Sequence, residues 1–152
     1  HRRQSYGLKR WRLNALVYWQ GKWIGGDFQS GKLYEVKWGV DEEDGAPLVA
    51  SRITPSAHNN QNPLSNPYLE LLFDTGHGAT PDHEVILEYS DDGGRNFKNR
   101  RTRSLGATGE YGKRVRFWRM GRFHNRCLRI SVSSPCKRDL HGSVVGLEGG
   151  RG

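Results

Sequence analysis

The apolar residues of this sequence come in short runs, and this feature limits what the chain can fold into. Few stretches of ten or more residues repeat apolar side chains every 3.6 positions, the period of an amphipathic helix. The longest apolar run, residues 15–19, is too short to span a bilayer. The 20 glycines suit tight turns, and the 5 Trp, 6 Tyr and 5 Phe residues favour strands. We therefore predict an all-β chain with little helix.

Strand-like runs divide the sequence into three segments. Residues 1–54 contain short runs joined by tight turns, as in the final blade of a propeller or a sheet meander. Residues 55–67 (PSAHNNQNPLSNP) hold three prolines and four asparagines, which predicts a linker or long surface loop. Residues 68–148 are predicted to form a small antiparallel β-sandwich. The predicted strands are 13–19, 22–25, 31–38, 48–53, 68–73, 84–89, 113–120, 128–132 and 143–147.

Nothing in the sequence predicts a cofactor, a metal site or catalysis. Cys127 and Cys136 lack metal-binding spacing and are predicted to be free, structural thiols. The acidic run 41–45 (DEEDG) lacks the spacing of a calcium loop, so we expect a solvent-exposed hairpin tip. Zinc-protease, nucleophile-elbow and phosphate-loop motifs are also missing. We expect a structural and binding module, and not an enzyme.

Positive charge is concentrated in residues 95–138, which hold fourteen of the 24 Lys and Arg residues but only Glu110 among the 16 acids. Such a surface attracts polyanions or an acidic protein neighbour. The alternative is a solvated sheet face whose arginines lie over aromatic rings. Because base-reading motifs are missing, any DNA contact should be independent of sequence. The candidate contact residues are Arg100, Arg101, Arg103, Arg114, Arg116 and Arg119.

Residues 90–97 (SDDGGRNF) match the Asp-box pattern Ser-x-Asp-x-Gly-x-Thr-aromatic at most positions. In this pattern the Ser90 and Asp92 side chains bond to the backbone of the turn, and Gly94 takes a conformation that other residues avoid. Phe97 is expected to fold back into the core. Two positions depart from the usual motif: Asn96 stands where Thr is usual, and Phe97 stands where Trp is usual. Asp boxes of sialidases lie in blade turns away from the chemistry. We therefore predict a structural turn.

Several motifs in order resemble the C-terminal region of the packaged-DNA stabilisation (tail hub) proteins of short-tailed bacteriophages. Upstream, WIGGDFQSGKLYEV is similar to the last propeller-type blade of these proteins, and the likeness covers most of residues 15–146. Family members are longer and carry a propeller ahead of this region. The matching segments farther along are 90–94, 104–106, 109–111, 114–121 and 129–135.

The resemblance implies a non-catalytic virion tail component that is assembled in the host cytoplasm. Hubs of this family sit as rings of six below the portal and its adaptor ring and close the DNA exit channel. From this we expect a hexameric homo-oligomer with the portal adaptor protein, a tailspike or fibre and a tail plug or needle as partners. The alternative is a carbohydrate-binding or glycosidase-derived propeller fragment that carries an Asp box.

Overall fold

A computed structural model describes residues 11–40, 42–77, 83–134 and 136–149. Asp41 and Pro135, which belong to two of the sequence motifs, lie outside the described residues. Within the described part all regular structure is β-strand and all strand pairs are antiparallel, which confirms the predicted all-β class. The strands are β1 Leu13–Trp19, β2 Lys22–Asp27, β3 Leu33–Val36, β4 Glu42–Glu43, β5 Ala46–Pro47, β6 Ala50–Ile53, β7 Ala57–His58, β8 Leu64–Phe73, β9 His83–Ser90, β10 Lys98–Gly106, β11 Val115–Phe123, β12 Asn125–Val132, β13 Leu140–Val145 and β14 Glu148–Gly149.

Strands β1, β2 and β3 form an antiparallel meander at the N-terminal end of the described chain. Gln20 and Gly21 close its first turn with φ angles of 48° and 78°, as the sequence predicts. Consecutive side chains of β1, from Leu16 to Trp19, are all exposed, although successive strand residues point to opposite faces. Strand β1 therefore has solvent-facing apolar side chains on both faces of the meander. The assignment of residues 1–54 to a propeller blade stays a prediction.

The acidic run forms a hairpin of β4 and β5 whose turn residues, Asp44 and Gly45, have φ angles of 51° and 79°. Two cations hold this hairpin: Lys32 Nζ lies 2.8 Å from Asp44 Oδ1, and Arg12 Nη1 lies 3.3 Å from Asp44 Oδ2. The hydrogen bond from Lys32 is the main reason that the pKa of Asp44 lies below its usual range. The predicted hairpin tip is thus also a structural contact between the acidic run and the meander.

Two sheets face each other in the sandwich. Sheet I has the order β10-β9-β12-β6, with β7 also paired to β12, and sheet II has the order β11-β8-β13, with β14 paired to β8. Successive side chains of a strand point to opposite faces of its sheet, so every second residue enters the core. In sheet I, Val85 and Leu87 of β9 lie opposite Val132 and Ile130 of β12. Leu69, Leu71, Val115, Phe117 and Met120 supply the side chains of sheet II. The β-sandwich is therefore confirmed.

The sandwich begins earlier than the predicted residue 68. Strand β6 pairs with β12, and the expected linker 55–67 contributes β7 and the first part of β8. Pro67 lies inside β8, where it cannot donate a ladder hydrogen bond. The ladders are interrupted beside it: β11 shifts register between Trp118 and Gly121, and β13 ends at Val145 before β14 begins. The proline is tolerated because both neighbouring strands leave a gap there.

Strand β10, Lys98–Gly106, has no counterpart among the predicted strands. Its apolar side chains are confined to Leu105, so the period-two signal of a half-buried strand is missing. It pairs with β9 along one side and approaches β11 along the other. This segment therefore forms a strand because of its tertiary contacts, whereas its sequence shows only that it is basic.

Candidate functional site

The loop between β9 and β10 has the hydrogen bonds of an Asp-box turn. Asp92 Oδ1 accepts bonds from the backbone N–H groups of Arg95 and Asn96, each at 3.0 Å, and also from the Ser90 hydroxyl. Ser90 Oγ in turn accepts a bond from the Gly94 N–H at 2.9 Å. These donors, led by the Asn96 N–H, hold the pKa of Asp92 well below its usual range. The carboxylate is thus occupied by its own turn.

Two further positions of the motif differ from the usual pattern. Asn96, in the place of Thr, donates from Nδ2 to Asp92 Oδ2 at 2.7 Å, so this residue adds a bond to the turn. Phe97 is half-buried and lies outside the core cluster. Its ring lies beneath the guanidinium of Arg129, with Cζ 4.3 Å from the ring centroid. Phe97 therefore packs under a cation, whereas the sequence predicts that it enters the core.

Arg126 of β12 is a buried cation that sequence reasoning counts only as part of the basic run. Its side chain is 3% exposed, and Nε and Nη2 donate to the two carboxylate oxygens of Asp91 at 2.6 and 2.7 Å. Nη1 donates to the carbonyl of Met120 in the opposite sheet. The guanidinium carbon lies 4.0 Å from the Tyr89 ring centroid and 4.4 Å from that of Phe123. Arg126 thus joins the Asp-box loop, sheet I and sheet II.

The sequence contains a signal that would have separated Arg126 from the other cations. Alternation along β12 places Arg126 on the same face as Leu128, Ile130 and Val132, all of which are buried. A charged residue in register with three core positions is expected to be buried and paired. The strand predicted from sequence starts at residue 128 and therefore leaves Arg126 out.

Arg101 and Arg103 of β10 bind backbone atoms of β11. Arg101 Nη1 and Nη2 donate to the carbonyls of Trp118 and Arg119 at 2.8 and 3.3 Å, and Arg103 Nε donates to the carbonyl of Arg116 at 3.0 Å. These bonds join the edge strands of the two sheets, and we call this edge of the sandwich the basic seam. The two candidate contact residues therefore have an intramolecular role.

Arg114 and Arg116 share one acidic partner. Arg116 Nε lies 2.8 Å from Glu70 Oε2, and Arg114 Nε lies 3.7 Å from Glu70 Oε1. The Arg116 guanidinium also lies 5.8 Å from the Trp118 ring centroid, as the alternative of arginines over aromatic rings predicts. Four of the six candidate arginines are thus engaged within the chain.

The remaining two candidates, Arg100 and Arg119, are exposed. Among the described residues, neither side chain makes a hydrogen bond or ion pair, and the same holds for Arg95, Lys98 and Arg122. The bonds from Arg101 to residues 118 and 119 and from Arg103 to residue 116 indicate antiparallel neighbours. Continuing this direction along both strands brings residues 98 and 100 towards 119 and 122, and Arg95 lies in the loop that leads into β10. We call Arg95, Lys98, Arg100, Arg119 and Arg122 the cationic patch.

The nearest acids in the sequence leave the charge of the patch uncompensated. Asp91 is paired with Arg126, and Asp92 is occupied by the Asp-box turn. Among the described residues these five side chains have no internal partner, so they can contact phosphates or carboxylates of a partner without first breaking an internal bond. A polyanion site on this surface stays a prediction.

No cluster of three or more His, Cys, Asp or Glu side chains suited to a metal ion occurs in the described part of the chain. Cys127 and Cys136 are both buried, and Cys136 belongs to the core. None of the described residues forms a helix that could cross a membrane.

Comparison with known proteins agrees with this arrangement. A search of curated proteins found no match to the chain. The sequence model of a family described as bacteriophage P22 Gp10, beta-sandwich, matches residues 50–148. This range starts at the first residue of β6 and ends in β14, so it covers both sheets of the sandwich. The chain therefore belongs to the bacteriophage P22 Gp10 β-sandwich family and is a structural component of a phage tail.

Proposed function

We propose that this chain is a subunit of the hub of a short phage tail, where it helps to retain packaged DNA and attaches other tail proteins. The observation that carries the proposal is the cationic patch, whose five side chains have no hydrogen-bond or ion-pair partner in the described part of the chain. DNA is a polyanion, and cations without internal partners release its counterions at the least cost. A channel subunit needs to bind DNA weakly and without regard to sequence, because the genome slides past it.

A ring of copies, six in the hubs of this family, is part of the same proposal. Its support is the β1–β3 meander, where Trp19, Trp23 and Leu33 are half or more exposed. Exposed apolar groups of this size mark surfaces that pack against another chain or segment. The portal adaptor, a tailspike or fibre and a tail plug are the proposed neighbours of the ring. Mass photometry tests self-association, and a chain that stays monomeric across the micromolar range contradicts the ring.

The carbohydrate-binding alternative rests on the Asp box alone. The turn oxygens that could bind a sugar hydroxyl already accept bonds from Arg95, Asn96 and Gly94. The Asp box therefore supports a structural turn and adds nothing to a glycosidase assignment.

The salt dependence of DNA binding tests the role of the patch. The logarithm of affinity should fall linearly with the logarithm of salt concentration, by about 0.9 per phosphate neutralised. The triple variant Arg100→Gln/Arg119→Gln/Arg122→Gln removes three patch cations and should reduce the slope by roughly 2.7. Fluorescence anisotropy with two unrelated duplexes of equal length gives the slope and the sequence preference.

A matched control variant removes three positive charges at positions outside the cationic patch. Lys22→Gln/Lys37→Gln/Arg52→Gln changes three exposed cations that lie outside the patch, and its slope should equal that of the wild type. Equal slopes for both triple variants would show that the patch does not face DNA. A strong preference for one duplex would contradict binding through phosphates alone.

A further inference from the structure

A cavity of about 140 Å³ opens at the edge of the sandwich opposite the basic seam. Its walls come from the segment after β6, from β12 and from the end of β13, including Pro55, Leu128, Val145 and Leu147. Val145 and Leu147 are also exposed at its rim. Among the described residues, no hydrogen bond joins β6 or β7 to β13 or β14, whereas arginines cross the basic seam. The cavity end of this edge is therefore open, whereas at its other end Arg138 donates to the carbonyl of Leu48. The cavity walls are mostly apolar, with Arg126 the charged residue among them.

Asn66 supplies a polar group in this apolar cavity. The residue lies in β8, is 2% exposed and lines the cavity, and its Oδ1 has no hydrogen-bond partner. A buried acceptor without a donor destabilises the fold, so it is rarely left unsatisfied in a finished assembly. An occupant that fits the cavity should therefore be apolar and should carry one N–H or O–H donor.

The volume of the cavity is suited to a single aromatic side chain. An apolar cavity of roughly 150 Å³ holds a benzene ring, and the open rim here leaves room for the second ring of an indole. Trp38 follows β3 in a turn with Gly39, whose φ is 75°, and the tryptophan is 99% exposed. Its indole is an apolar double ring with a single N–H donor. Trp23, by comparison, lies within a strand and packs against Tyr18, with the two rings tilted by 55°.

We propose that the indole of Trp38 from a second copy of this chain inserts into the cavity and donates its N–H to Asn66 Oδ1. The inference rests on the proposed ring and names one of its contacts. Trp38 is not among the residues that line the cavity. A contact that inserts Trp38 of each copy into the cavity of the next is heterologous, and such contacts close into rings when the rotation permits. An aromatic anchor in a desolvated pocket is the usual form of an interface hot spot.

The first experiment measures the cavity alone, with indole and with indene, which has nearly the same shape but no N–H. We expect the wild type to bind indole about tenfold more tightly than indene in an NMR shift titration, as one hydrogen bond allows. Asn66→Leu should bind both compounds about equally. No indole binding, or the same preference in Asn66→Leu, would overturn the proposed pocket whatever the oligomeric state.

The second experiment measures self-association by mass photometry and sedimentation. Trp38→Ala should weaken it by at least about tenfold, the loss expected of a hot-spot aromatic, and saturating indole should weaken the wild type similarly. Trp118→Ala is the control, because Trp118 is half-exposed at the basic seam, and its self-association should match that of the wild type. If the wild type assembles and Trp38→Ala assembles equally well, the Trp38 contact is refuted while the ring stands. If the wild type does not assemble, both the ring and this contact are refuted.

Discussion

Replacing Asp91 with Asn would leave the guanidinium of Arg126 buried without its counter-charge. The carboxylate of Asp91 binds two nitrogens of Arg126 at 2.6 and 2.7 Å, while Asp91 itself is 44% exposed. In Asp91→Asn the cation keeps the carbonyl of Met120 and the rings of Tyr89 and Phe123. Breaking a buried ion pair from one side costs about 3–5 kcal/mol. Because Asp91 is partly exposed and Arg126 keeps its other contacts, we expect Asp91→Asn to lower the free energy of unfolding by about 3 kcal/mol, the lower end of this range.

Arg126→Met removes the buried cation and fills its place with an apolar side chain of similar length. Asp91 can then be hydrated, because nearly half of it already faces water. The carbonyl of Met120 loses its partner, and a buried acceptor without a donor costs about 1–3 kcal/mol. We expect about 2 kcal/mol for Arg126→Met, and about the same for the double variant, in which no charge remains to be compensated.

The assay is urea unfolding of the wild type, both single variants and the double variant, with free energies from linear extrapolation. The two substitutions should show a coupling energy of about 2–3 kcal/mol. The exposed pair Lys22–Glu35, at 3.6 Å, is the control, and its two substitutions should be nearly additive. Additivity of Asp91→Asn and Arg126→Met to within about 0.5 kcal/mol would refute the view that Asp91 compensates the buried charge of Arg126.

Two further predictions concern the Asp-box turn and the close contact between Gly146 and Tyr68. Asp92→Ala should lower the melting temperature and leave the salt dependence of DNA binding unchanged. Because the pKa of Asp92 is depressed in the fold, the difference in melting temperature should be full at neutral pH and should shrink as the pH falls below about 4; an unchanged difference at low pH would contradict this. Gly146→Ala places Cβ 2.6 Å from Tyr68 Cε1 and should cost about 1–3 kcal/mol in urea unfolding, whereas Gly149→Ala meets no atom within 4 Å and should be neutral.

The sequence predicted best those elements whose signal is local. Strand β1 has the predicted bounds, and the predicted strand 84–89 lies within β9. Strand β10 was missed because its order depends on the bonds from Arg101 and Arg103 to another strand, which no local pattern encodes. The start of β8 was missed because Pro67 usually argues against a central strand. Only the register of two neighbouring strands shows why it fits.

The same division holds for the candidate site. The sequence located the Asp-box residues, since their bonds lie within a span of a few positions. The sequence showed the excess of positive charge. It could not show which arginines bind other groups of the chain and which are exposed without such a partner among the described residues. Glu70, which engages Arg114 and Arg116, lies more than forty positions away in the chain. The cavity at Asn66 could not be predicted at all, because its walls come from residues that lie far apart in the sequence.

The arginines of the basic seam also decide how copies of this protein can meet. Strand β11 is an edge strand of sheet II, and an edge strand with open carbonyls can recruit a strand of another molecule and start aggregation. The carbonyls of Arg116, Trp118 and Arg119 already accept hydrogen bonds from the guanidinium groups of Arg101 and Arg103. A foreign strand would have to displace charge-assisted bonds before it could pair with this edge. Crowded copies in an assembling particle are thus kept from joining into one continuous sheet at β11.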